Sequence, residues 1–162
     1  MRLFIGIKFD ERVTKLIDKI TSKLYNEGVK GNYTLKNNIH LTLNFLGEIE
    51  SEKVNDIIDI INSLDVSNLK QINITGINNL KDMIILTIDE TFELLNLQKE
   101  LTNKLINYGI KQDNRPYFPH ITLVREKNKE YILPLNITSS FTKVTLFESK
   151  RINGALTYIP LN

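Results

Sequence analysis

A single domain of mixed strands and helices, assembled from two similar halves, is what this sequence predicts. Three observations carry that reading. The 162 residues, 41% apolar and 25% charged, suit one globular domain or two small lobes sharing a core. Strand-period and helix-period apolar patterns follow one another along the chain. Displacing the chain by 80 residues lays strand 2–9 over 82–88, the helix start at Asp10 over Glu90, and His40-Leu41-Thr42-Leu43 over His120-Ile121-Thr122-Leu123. Each half, roughly 1–80 and 81–162, reads strand, helix, His-bearing strand. A pseudo-two-fold axis would set equivalent positions opposite each other, with the terminal segments free to cross between lobes.

The elements follow in order. Leu3, Phe4, Ile5, Ile7 and Phe9 make residues 2–9 a buried strand. Asp10 can cap the next helix, where Val13, Leu16, Ile17, Ile20 and Leu24 share a face and Gly28 ends the run. Residues 39–46 alternate as a strand closed by Gly47, and Ser51 caps a second helix with Val54, Ile57, Ile58, Ile61 and Leu64 inward. Two strands are predicted at 70–77 and 82–88. Thr91 then opens a third helix, with Leu94, Leu95, Gln98, Leu101 and Leu105 on one face, stopped by Gly109. Residues 120–125 form the second His-bearing strand. Strands at 141–149 and 155–160 flank the turn signal Asn153-Gly154. Pro134 interrupts 126–139, which receives no element.

Composition narrows the chemistry. With no Cys there is no disulfide, thiolate metal site or Cys nucleophile. Two His alone would need carboxylates to complete a zinc site, and no metal is expected. No apolar run approaches the roughly 20 residues of a membrane span, and the N-terminus lacks signal-peptide features, so a cytoplasmic location is expected. Net charge is only +2 but unevenly spread. Residues 1–47 and 111–151 each sum to +4, whereas 48–65 sum to −5 and 82–100 to −4. Solvated helix faces account for the acidic runs; a sorted arrangement would leave an anion-attracting front around the two His.

Those two His are the only ones in the chain, and each begins a His-aliphatic-Thr-Leu segment. Thr is 13 and Leu 22 of 162 residues, so Thr-Leu at that offset follows a given His by chance about once in 90. In a strand, residues i and i+2 share a face, so His40 with Thr42, and His120 with Thr122, point away from the aliphatic core side. If the strands are symmetry mates, two imidazoles and two hydroxyls converge on one cleft. One imidazole can be neutral and take a proton while the other is charged and gives one. The hydroxyls can hold the non-bridging oxygens of an anion in line. This set suits metal-free displacement at phosphorus.

The stretches His40-Leu41-Thr42-Leu43-Asn44-Phe45-Leu46-Gly47 and Pro119-His120-Ile121-Thr122-Leu123-Val124-Arg125 resemble the two signatures of the two-histidine (2H) phosphoesterase superfamily. Within it the sequence is similar to the RNA 2′,3′-cyclic phosphodiesterases, also called 2′-5′ RNA ligases. Arg2-Leu3-Phe4-Ile5-Gly6-Ile7 and Leu146-Phe147-Glu148-Ser149, with Gly154 and Tyr158, extend the similarity over most of the chain. The resemblance implies an α+β bilobal fold, two antiparallel sheets lining a central cleft with helices outside, and no cofactor. It implies hydrolysis of RNA 2′,3′-cyclic phosphate ends, or small cyclic nucleotides, to 2′-phosphomonoesters, with ligation as the reverse. His40, Thr42, His120 and Thr122 carry over directly and Arg125 matches a basic position. Phe118 departs, standing where relatives often carry a basic residue. The expectation is His120 as base and His40 as acid, in a monomer.

Other candidates rest on position. Arg125 is five residues past His120, so on a flat strand it would face away; a bulge would bring it to the phosphate. Tyr117 and Phe118, in a Pro-flanked loop, could stack on a base, whereas Phe45 is expected in the core. Arg115 reads as an exposed loop residue. Two rival readings remain open: the same catalytic set acting on another small cyclic or 2′-5′ phosphodiester, and a module that holds RNA ends without turnover.

Overall fold

The computed structural model describes residues 1–162. Its elements are β1 (Arg2–Ile7), α1 (Glu11–Asn26), β2 (Asn32–Tyr33), β3 (Leu41–Glu48), α2 (Val54–Asn62), β4 (Gln71–Leu80), β5 (Met83–Ile88), α3 (Phe92–Tyr108), β6 (His120–Arg125), β7 (Leu133–Ser140), β8 (Val144–Ile152) and β9 (Ala155–Pro160). They form two antiparallel sheets, ordered β3-β1-β8-β9 and β2-β6-β5-β4-β7, with three helices: the α+β class expected. The repeated pairs separate cleanly, β1 with β3 in one sheet and β5 with β6 in the other. C-terminal β8 and β9 complete the first sheet, while β2 and β4 from the first half flank β6 and β5 in the second.

Local signals set the helix boundaries. The Asp10 carboxylate accepts from the Val13 amide at 2.9 Å and the Thr91 hydroxyl from Leu94 at 3.3 Å, each satisfying a donor that a helix start leaves free. Gly109 ends α3 with φ +107°, a left-handed value that suits glycine. The helices and one face of each sheet share a core of 31 residues. Leu3, Ile5, Ile7 and Leu41 enter it from the first sheet and Ile84, Leu86, Ile121 and Leu123 from the second. Full burial of each such side chain is worth roughly 1.5–3 kcal/mol. The alternate residues, Phe4 and Gly6 on β1 and His120 and Thr122 on β6, are thereby turned to the opposite face.

Several elements differ from expectation. The segment left without structure contains β7. Pro134 is tolerated because β7 is an edge strand, where a missing N–H leaves no ladder partner unsatisfied. The two-residue β2 is too short for a periodic signal. Ser51 starts a single 3-10 turn over Ser51–Lys53, and α2 begins only at Val54, so Ser51 is not its cap. Gly47 lies within β3, at φ +73°, and does not close it. The Asn153-Gly154 turn does form, with both residues at positive φ (52° and 80°), the geometry that matches strand twist in a tight hairpin.

Candidate active site

Both histidines sit where β3 and β6 approach each other, one at the threshold of each strand. Their rings are held by the same device. His40 Nδ1 lies 2.7 Å from the Asn38 carbonyl and His120 Nδ1 lies 2.9 Å from the Phe118 carbonyl, each two residues back. A carbonyl only accepts, so each Nδ1 carries a hydrogen, and a ring that is neutral then presents its lone pair at Nε2. At His40 that lone pair accepts from the Thr42 hydroxyl at 2.8 Å. The Thr122 hydroxyl makes only a long contact with Met83 Sδ, at 3.9 Å.

Glycine at position 6 makes room for the first ring. A Cβ there would lie 2.7 Å from the Leu41 carbonyl oxygen and 3.4 Å from His40 Cδ2. Around that ring stand Phe4 at 4.7 Å, Tyr158 edge-on at 5.2 Å and Phe147 at 6.3 Å between centroids. This apolar wall strips water from His40, and burial lowers its pKa from 6.5 to about 4. The Asn38 carbonyl opposes the shift, while the positive charges of Lys8 and Arg125, and His120, reinforce it. Two of these groups belong to β6, and Lys8 lies just past the end of β1. Lys8 itself donates to the Asn37 carbonyl at 2.7 Å and lies 5.7 Å from the Phe147 ring centre.

A pair of bulges decides which other residues join this face. In the β1–β3 register Ile5 opposes Asn44 and Gly6 opposes Thr42, leaving Leu43 unmatched. In β5–β6, Ile84 opposes Val124 and Ile85 opposes Thr122, leaving Leu123 unmatched. Leu43 and Asn44, like Leu123 and Val124, are consecutive buried residues for that reason. The fifth residue after each His thus returns to the His–Thr side. One is Arg125, exposed, with Nη1 3.2 Å from the Met83 sulfur that also contacts Thr122. The other is Phe45, 70% exposed, 6.2 Å from Phe4, and not the core residue expected.

The remaining candidates divide. Phe118 is exposed and stacks on His120 (5.4 Å, 25°), so it bears directly on the site. Tyr117 does not offer a stacking face: its ring packs against the core and its hydroxyl donates to the Thr42 carbonyl at 2.7 Å. Burial pushes that hydroxyl's pKa well up, so it stays a proton donor. Tyr117 thereby ties the loop before His120 to the strand after His40. A second tie lies beside it, where the buried Asn44 amide donates to Gln112 at 2.6 Å and Thr102 at 3.0 Å. Arg115 is spent on Asp113, with which it pairs in an exposed loop. Sequence reasoning missed Asn38, Gly6, Asn44 and Met83, whose parts depend on contacts distant in sequence. No group of three or more His, Cys, Asp or Glu is placed to hold a metal ion. Two surface pockets, about 340 Å³ beside Tyr25 and Tyr33 and about 610 Å³ between Asp65 and the start of α3, are lined by neither histidine. No helix is long and apolar enough to cross a membrane.

Comparison with known proteins gives a consistent result. The family described as LigT-like phosphoesterases matches residues 7–79. The RNA 2′,3′-cyclic phosphodiesterase of Methanocaldococcus jannaschii is 32% identical over 129 residues, covering 78% of this chain and 72% of that protein. The enzyme of the same name from Thermotoga maritima is 31% identical over 134 residues, covering 78% and 71%. In structure, Escherichia coli LigT complexed with 3′-AMP superposes with a TM-score of 0.83 at 26% identity, covering 99% of this chain and 95% of that one.

Proposed function

The chain belongs to the LigT-like phosphoesterase family, and from that premise we propose that it hydrolyses the 2′,3′-cyclic phosphate ends of RNA to 2′-phosphomonoesters. The observation that carries this reading is the matched presentation of two imidazole Nε2 atoms, each ring held at Nδ1 by a carbonyl two residues back, across the line where β3 and β6 meet. A phosphate between them has an imidazole for the attacking water and one for the leaving oxygen, the in-line arrangement that acid–base catalysis requires. Thr42 and Thr122 are the donors to its non-bridging oxygens, and Arg125 supplies the charge. Phe45 and Phe118 offer exposed aromatic faces for a base.

The environment of His40 favours one order of roles, the reverse of the sequence expectation. Its pKa of about 4 leaves it neutral near pH 7, ready to take a proton. His40 then deprotonates water as that water attacks phosphorus. The bond from phosphorus to O3′ breaks, and protonated His120 gives its proton to the departing O3′. The products are a 2′-phosphomonoester and a free 3′-hydroxyl, and solvent resets both rings. In the reverse direction, closure of the 2′-phosphomonoester onto its 3′-hydroxyl with loss of water, the two rings exchange roles.

Incubation with 2′,3′-cyclic AMP in EDTA tests the reading. Formation of 2′-AMP is expected, abolished in both His40→Ala and His120→Ala. Binding without turnover would establish the RNA-end module instead, and activity lost to EDTA would refute acid–base catalysis by the imidazoles alone.

A further inference from the structure

Asn38 is 5% exposed, an uncommon setting for an amide, and every one of its polar atoms is used. Its Nδ2 donates to the Leu156 carbonyl at 2.8 Å, and its Oδ1 accepts from the Tyr158 amide at 3.4 Å. Leu156 and Tyr158 are alternate residues of β9, the edge strand of the first sheet. Their outward carbonyl and amide are what a further strand would bond, and the Asn38 side chain takes that place as a single peptide-like unit. The backbone carbonyl of the same residue receives the His40 Nδ1 hydrogen. Tyr158, anchored by this bridge, stands edge-on to the His40 ring at 89°. One residue thus connects the C-terminal hairpin to the first imidazole by two routes.

We propose that Asn38 is a positioning residue: by locking onto the free edge of β9, its amide fixes the carbonyl that keeps His40 in the Nδ1–H form with Nε2 turned to substrate. The halves solve this problem differently. Phe118, the residue 80 positions on, offers its carbonyl to His120 in the same way but spends its side chain on stacking against the ring. Only at the first imidazole does the residue that offers the carbonyl also bridge to another strand through its own side chain. The inference rests on the reading of His40 as an acid–base group, and its test separates the two.

With only two His in the chain, 15N-labelled protein yields both tautomers from ring nitrogen shifts without using turnover. In the unaltered protein His40 is expected as the Nδ1–H tautomer at pH 7; the Nε2–H tautomer there would overturn the proposal, whatever the variants do. In Asn38→Ala and Asn38→Ser, His40 is expected to become a tautomer mixture while His120 is unchanged. The kcat for 2′,3′-cyclic AMP should fall roughly 10–100-fold with KM within about 2-fold, the scale of a small misplacement of a reacting group. The groups around His40, namely Lys8 just past β1, Arg125 and His120 from β6 and Tyr158 from β9, are untouched by these changes. If a folded variant keeps both the His40 tautomer and kcat, Asn38 is only a structural contact. If the tautomer responds as expected but neither protein turns over the cyclic nucleotide, the proposed activity fails and the positioning role stands.

Discussion

Burial of His40 makes stability depend on pH in a defined window. Unfolded, its imidazole binds a proton below about pH 6.5; folded, it does so only below about pH 4. The folded pKa is depressed, so the contribution is fully present above pH 6.5 and is lost progressively as pH falls toward 4. A difference of about two and a half pH units at 1.36 kcal/mol each gives about 3 kcal/mol. The perturbation is His40→Gln, which keeps a polar side chain but cannot titrate. Urea denaturation of both proteins at intervals from pH 7.5 to 4 is the assay. The unaltered protein should lose about 3 kcal/mol more than the variant over that range. Shared carboxylates such as Asp10, whose pKa is lowered chiefly by its bond from the Val13 amide, cancel in the comparison. The same cause fixes kinetics: the acid limb of kcat/KM, which reports the free enzyme, should lie near pH 4. Parallel stability curves, or an acid limb at pH 6 or above, would refute the account of His40 as a walled-in neutral base.

Three further outcomes are expected. Gly6→Ala should leave a folded protein with kcat reduced on the order of 100-fold, because its Cβ meets the Leu41 carbonyl at 2.7 Å and crowds His40; unchanged kcat would show that the ring has room to spare. Arg125→Ala should raise KM for a cyclic nucleotide about 10–100-fold, as loss of a charge-assisted hydrogen bond worth roughly 1.5–3 kcal/mol, and an unchanged KM would place that guanidinium off the phosphate. Tyr117→Phe should cost about 1–3 kcal/mol in denaturation, since the Thr42 carbonyl loses its buried donor, and should slow turnover as well; a neutral substitution would mean that water replaces the hydroxyl.

The legible part of this molecule was whatever local pattern dictates. Asp10 and Thr91 cap their helices as their residue types require, the strand-period faces of β1 and β6 reach the core, and the duplicated His-aliphatic-Thr-Leu segments lie in equivalent pairs of two sheets. Register was not legible. Nothing local marks Leu43 or Leu123 as the unmatched residue, yet those two bulges turn Phe45 and Arg125 onto the His–Thr face. Pro134 hid β7 because the tolerance of an edge strand for proline is a property of its place in the sheet. The tie made by Tyr117 and the bridge made by Asn38 were hidden for a related reason: their partners, Thr42, Leu156 and Tyr158, lie 75 to 120 residues away. The order of proton transfer was equally out of reach, since Phe4, Phe147 and Tyr158 desolvate His40 only once β1, β8 and β9 are side by side.

The central claim is that both imidazoles address one phosphate, and ligand titration watched by NMR tests it most directly. With two His in the chain, only two ring Cε1–H signals need following as 2′-AMP is added. The account predicts that both move together and saturate with a single Kd, and that the shared response disappears in Thr42→Val/Thr122→Val. Movement of one signal alone, or of the two with different affinities, would contradict it.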